Sequence, residues 1–517
     1  MRAFDLEVEQ ASGNGVLIFD SVTHPSCPEW TVAHVDAVLG DRISPLAWMV
    51  VGAAFERSQA RLWASLGVVP PTRDRRARFG ARLNGRLHVG LSTLRAAAMR
   101  IPGVDPTRTE GELGLPPSEL RRTWNDRAWH PLAIIGATST AGRSPAWVLR
   151  QRRAVRRAGV LAPTGSVETA ELIHRVELLR RQLTPVLRTH AFLRMATHAS
   201  LDRLRADCAD DDLAFGLLAD LPDLEATQPS LALLAMAERA RSLGRLDERD
   251  LDAFVDRFGH RGVNELDPTV PVWESQRPHL RVVVERLIAT SPEDPVRLGR
   301  EARVRARSAL ERVRRFRRER IVADAAFARR FSVLGEHSKG DVALLTNQIR
   351  RSLDELARRT ADRCDPADTP MLSWNEFRTL ATDAGSVDAD LTARRLALHG
   401  PIEPSADSTE NVSRTLVGVA ASPGVVTGIA FVVHDPADEL PVGDVLVAHA
   451  TDTAWTPLFL GLAAVVTDTG GVLSHSSIVA RDLGIPAVVG TGNATTVVRT
   501  GDRARVDGDV GRVELLA

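Results

Sequence analysis

Residues 467–490 read TDTGGVLSHSSIVARDLGIPAVVG, and this stretch decides how the C-terminal part of the chain is organised. The apolar run before it predicts a strand that ends at Thr467. Gly470 and Gly471 let the backbone turn tightly, with no Cβ to crowd an incoming anion. Thr469 lies in the same turn, and Ser474 is placed to cap a helix running from about His475 to Leu483. His475 then stands at a helix N-terminus, where free N–H groups and the positive end of the dipole favour a phosphoryl group. The same field lowers the imidazole pKa and keeps the ring neutral and nucleophilic. A histidine that accepts a phosphoryl group and passes it on needs these features. The plainer alternative is a structural histidine capping a buried helix.

Around this stretch lie short β-rich runs: Leu416–Val419, Gly428–Val433, Asp444–Ala448, Ala463–Thr467, Ala487–Val489, Ala504–Val506 and Gly511–Leu515, punctuated by Gly, Pro and Asp. They predict a small separate α+β domain over residues 415–517. Residues 401–414, rich in Pro, Ser, Asp, Glu and Asn, read as a linker. Residues 1–400 read mainly as helix. Pro45–Leu66, Glu168–Arg188, Ser230–Leu243, Pro295–Ala323 and Gly340–Ala361 carry apolar residues at three- and four-residue spacing. The basic stretch Arg312–Arg320 lies on such a pattern and reads as a solvated helix face before an anion-binding strip. The expected fold is multidomain, α plus α/β: a large, mainly helical domain followed by a small β/β/α domain.

The 517 residues carry 66 basic and 66 acidic side chains, so no global field points to nucleic acid or an anionic membrane as partner. No run of about 18 apolar residues predicts a transmembrane helix. Met1–Glu9 lacks the basic start and apolar core of a signal peptide. Cys27, Cys208 and Cys364 lie far apart and outside any CxxC pattern. They suggest neither a disulfide framework nor a zinc site, and point to a reducing, cytoplasmic compartment. Of the 66 basic residues only Lys339 is lysine. Arginine replaces lysine well on solvated surfaces but not where a compact ammonium is needed, so the surviving lysine is a candidate functional residue.

The string around His475 resembles the active-site motif of the mobile, swivelling domain of phosphoenolpyruvate-utilising enzymes: phosphoenolpyruvate synthase, pyruvate phosphate dikinase and rifampin phosphotransferase. Val417–Gly424 resembles the opening of that domain and Asp452–Leu458 its middle. Ser476 stands where the family more usually has Ala. The resemblance implies a covalent phosphohistidine at His475, with Thr469, Gly470, Gly471, Ser474 and Arg481 around the phosphoryl group. In that family an ATP-grasp domain charges the histidine from ATP, and a flexible tether keeps it at high local concentration near a second site.

The helical part resembles the central, substrate-binding domain of rifampin phosphotransferase. Trp30-Thr31 through Ile43–Trp48 is similar to its opening; Phe258–Gly262, Asn264–Pro268 and Trp273 are similar to its glycine–histidine–arginine–glycine block. Glu336-His337-Ser338-Lys339 falls where the family has Arg-Glu-x-x-Lys between two long helices, so the resemblance places the lone lysine on the phosphate-contacting position. The family's arginine is Gly335 here; either Arg329 or Arg330 substitutes, or the chemistry has changed. His260 and Arg261 have two readings: general base and anion clamp, or a buried polar network that holds a turn. Trp48, with Glu336 and His337, is a candidate wall of the acceptor pocket.

Residues 1–400 lack the alternating strands and Gly-rich loop of an ATP-grasp domain, and no pyruvate-handling barrel follows the histidine domain. The expectation is therefore a phosphotransferase subunit charged by a separate ATP-grasp protein using ATP and Mg2+, as in phenylphosphate synthase. The acceptor would be the hydroxyl of a small molecule, partly apolar and of the aromatic or secondary-metabolite kind. The product would be a phosphate ester or an activated intermediate that eliminates phosphate. The competing expectation is a non-enzymatic phosphocarrier.

Overall fold

The computed structural model describes residues 42–65, 79–83, 85–91, 146–156, 164–208, 210–221, 224–290, 295–382, 414–434, 444–472 and 474–516, with short pieces at 10–11, 17–18, 29–31, 392–393 and 395. Residues 401–413 of the expected linker lie outside the described residues.

Two long helices form the spine of the first part: Thr169–Cys208, of 40 residues, and Arg315–Arg359, of 45 residues. Leu172, Val176, Leu179 and Leu183 repeat at three- and four-residue spacing on the first; Val342, Leu345, Ile349, Leu353 and Leu356 do so on the second. Both rows are buried in one apolar cluster. The second helix corrects two expectations. The segment Pro295–Ala323 is not one helix: Pro295–Leu310 ends in a tight turn, with Arg312 N–H on Ala309 O and Val313 N–H on Leu310 O, before the long helix starts. Nor do Glu336–Lys339 sit between helices; they lie inside the long one, which runs through Gly335 and Gly340 without a break.

Pro45–Ala47 begins a helix capped by Ser44, whose Oγ accepts from Ala47 N at 3.1 Å. The chain continues through one π-helical turn, Trp48–Gly52, into Ala53–Ser65. Gly52 is required there because any Cβ would overlap the Trp48 indole. Trp48 is consequently 1% exposed and belongs to the apolar core. Strands were under-read in this part. Trp30–Thr31, Gly80–Leu83 and Arg86–Gly90 form a three-stranded antiparallel sheet, turned at Gly85 with φ +76°. The Asn84-Gly85 pair between the last two strands is the sequence signal for that hairpin.

Eight strands make the second part: β1 (Thr415–Val417), β2 (Val419–Ser422), β3 (Val425–Val432), β4 (Val445–Ala448), β5 (Ala464–Thr467), β6 (Ala487–Val489), β7 (Arg503–Asp507) and β8 (Arg512–Leu515). Their order is β1-β8-β7-β3-β4-β5-β6-β2, parallel from β3 to β6 and antiparallel at both flanks. The helix His475–Leu483 connects β5 to its parallel neighbour β6, so its first residue stands at the carboxyl ends of the parallel strands.

The two parts are docked. Leu233, Phe254, Phe258 and Trp273 of the helical part share one buried cluster with Leu446, Trp455, Phe459 and Ile478 of the sheet part. Specific hydrogen bonds cross the seam: Leu221 N–H donates to Asp482 Oδ1 at 2.9 Å, and Asn264 N–H to Asp452 Oδ2 at 2.7 Å. Among the described residues no helix is long and apolar enough to cross a membrane.

Candidate active site

His475 is the first residue of its helix, after the Ser474 cap. The loop that presents it is braced by hydroxyls. Ser474 Oγ lies 2.8 Å from Ser477 Oγ and 2.9 Å from Ser476 Oγ, and Ser477 donates to Gly471 O at 2.7 Å. Ser476, where the family more often has Ala, is thus part of the cap. Gly470 has φ +127°, a backbone region that favours glycine. Thr469 is tied to His449 O by its backbone N–H at 3.0 Å and its hydroxyl at 3.2 Å.

Arg481 does not face the phosphoryl position. Its Nε donates to Ser477 O at 2.9 Å, its Nη2 to Val472 O, and its guanidinium lies over the Phe215 ring at 5.0 Å. It holds the histidine loop onto the helical part.

The His475 ring is half-buried, with Nε2 2.8 Å from Thr456 Oγ1 and Nδ1 enclosed without a hydrogen-bond partner. Its pKa is pushed well below the ordinary histidine value, first by burial, then by Lys339, Arg261 and Arg194. The ring is therefore neutral, as the sequence implied, but through enclosure and three cations of the helical part.

Two of those cations, Arg261 and Lys339, are held by a buried carboxylate hub. Glu265, 2% exposed, accepts from Arg261 Nε at 2.7 Å and from Thr453 Oγ1 at 3.2 Å, and lies 3.7 Å from Lys339 Nζ. Arg261 also donates from Nη2 to Thr453 Oγ1 at 2.8 Å, across the seam. The tight turn that carries Arg261 is fixed by close packing: a Cβ on Gly262 would lie 2.9 Å from Val272 Cα. Of the two readings of Arg261, these bonds describe the buried polar network that holds a turn.

Arg194 was not singled out in the sequence. It lies on the 40-residue helix facing Glu336, and among 65 arginines nothing in the sequence marks it. It brings a guanidinium to His475 where Gly335 lacks one. Neither sequence candidate does so: Arg329 is bound to Leu217 O, Ala219 O and Asp220 O, and Arg330 is exposed. Glu336 is buried and its Oε2 has no hydrogen-bond partner.

Beside this cluster opens a cavity of about 420 Å³. His260, Arg261, His337, Glu225, Asp341 and Arg152 are among its walls, and only Phe258 and Leu344 are large and apolar. Charged and apolar side chains share this lining, and Trp48, locked in the core, is not part of it. Burial and Arg261, Arg351 and Arg350 press the His260 pKa down to about 3, so the ring is neutral and a weak base. Burial, opposed by Arg152, raises Asp341 to about 7. Among the described residues no group of three or more His, Cys, Asp or Glu could hold a metal ion.

Comparison with known proteins separates the same two parts. Residues 440–511 match the family described as PEP-utilising enzyme, mobile domain, and residues 186–334 the rifampicin phosphotransferase fourth domain. The chain is 34% identical over 342 residues to a rifampicin phosphotransferase of a Streptomyces species, covering 58% of this chain and 39% of that protein. It is 31% identical over 297 residues to the prodigiosin synthesizing transferase PigC of Serratia marcescens, covering 52% and 33%. A probable phosphoenolpyruvate synthase of Staphylothermus marinus is 51% identical over 100 residues, 19% of this chain and 12% of that protein. The chain thus spans well under half the length of these relatives. By these matches residues 440–511 are similar to the mobile domain of phosphoenolpyruvate-utilising enzymes, and residues 186–334 to the fourth domain of rifampicin phosphotransferase.

Proposed function

We propose that the chain is a phosphotransferase module in which His475 carries a phosphoryl group to a hydroxyl of a small organic molecule bound in the cavity beside Arg261. The observation that carries this reading is the neutral His475 imidazole facing Lys339, Arg261 and Arg194. Three cations around one nucleophilic ring suit a phosphoryl group in flight, whose charge lies on its equatorial oxygens. The names of the relatives, rifampicin phosphotransferase and prodigiosin synthesizing transferase, support an acceptor from secondary metabolism.

The phosphoryl donor is ATP with Mg2+, handled by an ATP-grasp partner; His475 must leave the docked site to meet it. The released product is a phosphate ester, or loses phosphate in a later elimination. Incubation with Mg-ATP, with and without an ATP-grasp partner, tests the reading by intact mass at neutral or alkaline pH. Gain of one phosphoryl group only with the partner, and not in His475→Ala, is expected. No gain with an active partner overturns charging from ATP. Charging with no transfer to any hydroxyl compound would favour the phosphocarrier.

A further inference from the structure

An acceptor hydroxyl must lose its proton as its oxygen bonds to phosphorus, and few groups in the cavity are placed to take it. His260 lines the cavity but is a weak base among three arginines. Asp256 is exposed at the rim. His337 and Asp341 lie two residues to either side of Lys339 on one continuous helix. A two-residue step turns a side chain by roughly 200°, so both point away from the face that Lys339 presents to His475.

Glu225 is different. It lines the cavity, its Oε1 lies 3.9 Å from Arg261 Nη1, and it packs so closely on Gly340, next to Lys339, that a Cβ there would overlap its carboxylate. Arg152 Nη2 fixes the other oxygen at 3.2 Å. This carboxylate joins the cavity to the cations around His475.

Resting on the phosphotransfer reading, we infer that Glu225 is the catalytic base of the transfer step. The acceptor oxygen forms the new O–P bond and the N–P bond to His475 breaks. The electron pair returns to the imidazole, and the hydroxyl proton passes to the Glu225 carboxylate and on to solvent. The charged groups facing Glu225 are Arg261 and Arg152, which favour its anion, and Glu336, Glu265 and Asp341, which oppose it; burial is the largest influence and raises its pKa. A carboxylate made more basic in this way is a better proton acceptor near neutrality.

The test charges the full chain with potassium phosphoramidate, which needs no partner. Loss of the phosphoryl group to water and to added glycerol is then followed by intact mass across a pH series. Glu225→Gln should charge as the wild type does, yet discharge about a hundredfold more slowly and with a flattened pH profile. Glu225→Asp, which keeps the carboxylate on a shorter arm, should restore the pH dependence in part. Equal discharge rates and profiles for wild type and Glu225→Gln overturn the assignment. Failure of wild type to charge at His475, judged against His475→Ala, would instead sink the phosphotransfer reading.

Discussion

Arg261 Nη2 donates to Thr453 Oγ1 at 2.8 Å, so one guanidinium of the helical part holds the turn of the sheet part that also carries Thr456, the bond partner of His475. The same guanidinium is the shortest partner of Glu265. Arg261→Ala should cost about 3–5 kcal/mol, because it leaves a buried carboxylate without its main counter-charge. Denaturant unfolding measures this, and a loss below about 1 kcal/mol would mean that Lys339 alone satisfies Glu265.

Lys339 supplies a compact ammonium next to a half-buried imidazole. Lys339→Arg should leave His475 able to take a phosphoryl group but slow discharge to a hydroxyl by about a hundredfold, since a planar fork cannot occupy the same point. Separate charging and discharge rates are the measurement.

Arg194 lowers the His475 pKa through its charge, though less than burial does. Arg194→Met should therefore raise that pKa while leaving it below the ordinary value. Titration of the ring by NMR reads the change; an unmoved pKa would remove Arg194 from the site.

Two glycines five residues apart on one helix should respond oppositely to alanine. A Cβ on Gly335 meets nothing within 4 Å, so Gly335→Ala should stabilise by about 0.5–1 kcal/mol through helix propensity. A Cβ on Gly340 collides with the Glu225 carboxylate, so Gly340→Ala should destabilise the fold or displace Glu225. Thermal unfolding of the two variants side by side decides it.

The sheet part was legible almost element by element, because Gly, Pro and Asp mark its turns and the Ser474–His475 junction fixes its helix. Lys339 stood out twice, as the single lysine of the chain and by its place in the Glu336–Lys339 string. The sequence hid whatever depends on distant pairing. Glu265 reads as part of a local polar network with Arg261, yet it also gathers Thr453 and Lys339 from distant places in the chain. Glu225 gives no local signal, since its role comes from the close approach of Gly340. Trp48 misled because an indole near a Pro-capped helix reads equally well as pocket wall or core; the π turn that buries it has no periodic signature.

Asp452 gives the pH test. Burial raises its carboxyl to about 7, against two backbone hydrogen bonds, from Asn264 and Ala454, that pull the other way. The folded state binds this proton more tightly than the unfolded chain does. The group's stabilisation is therefore complete below the unfolded carboxyl value, 3.8, and is lost as pH rises through about 7. Asp452→Asn should gain stability relative to wild type over that interval. Paired melting curves across the interval check the sign.

Lys339 is the only side-chain amine in the chain, and docking leaves it 8% exposed. A reagent that acylates amines thus meets a single internal target, and the proposed departure of His475 would be expected to uncover it. Its labelling rate would then be an intrinsic gauge of that proposed movement, read from the native protein without installing a probe.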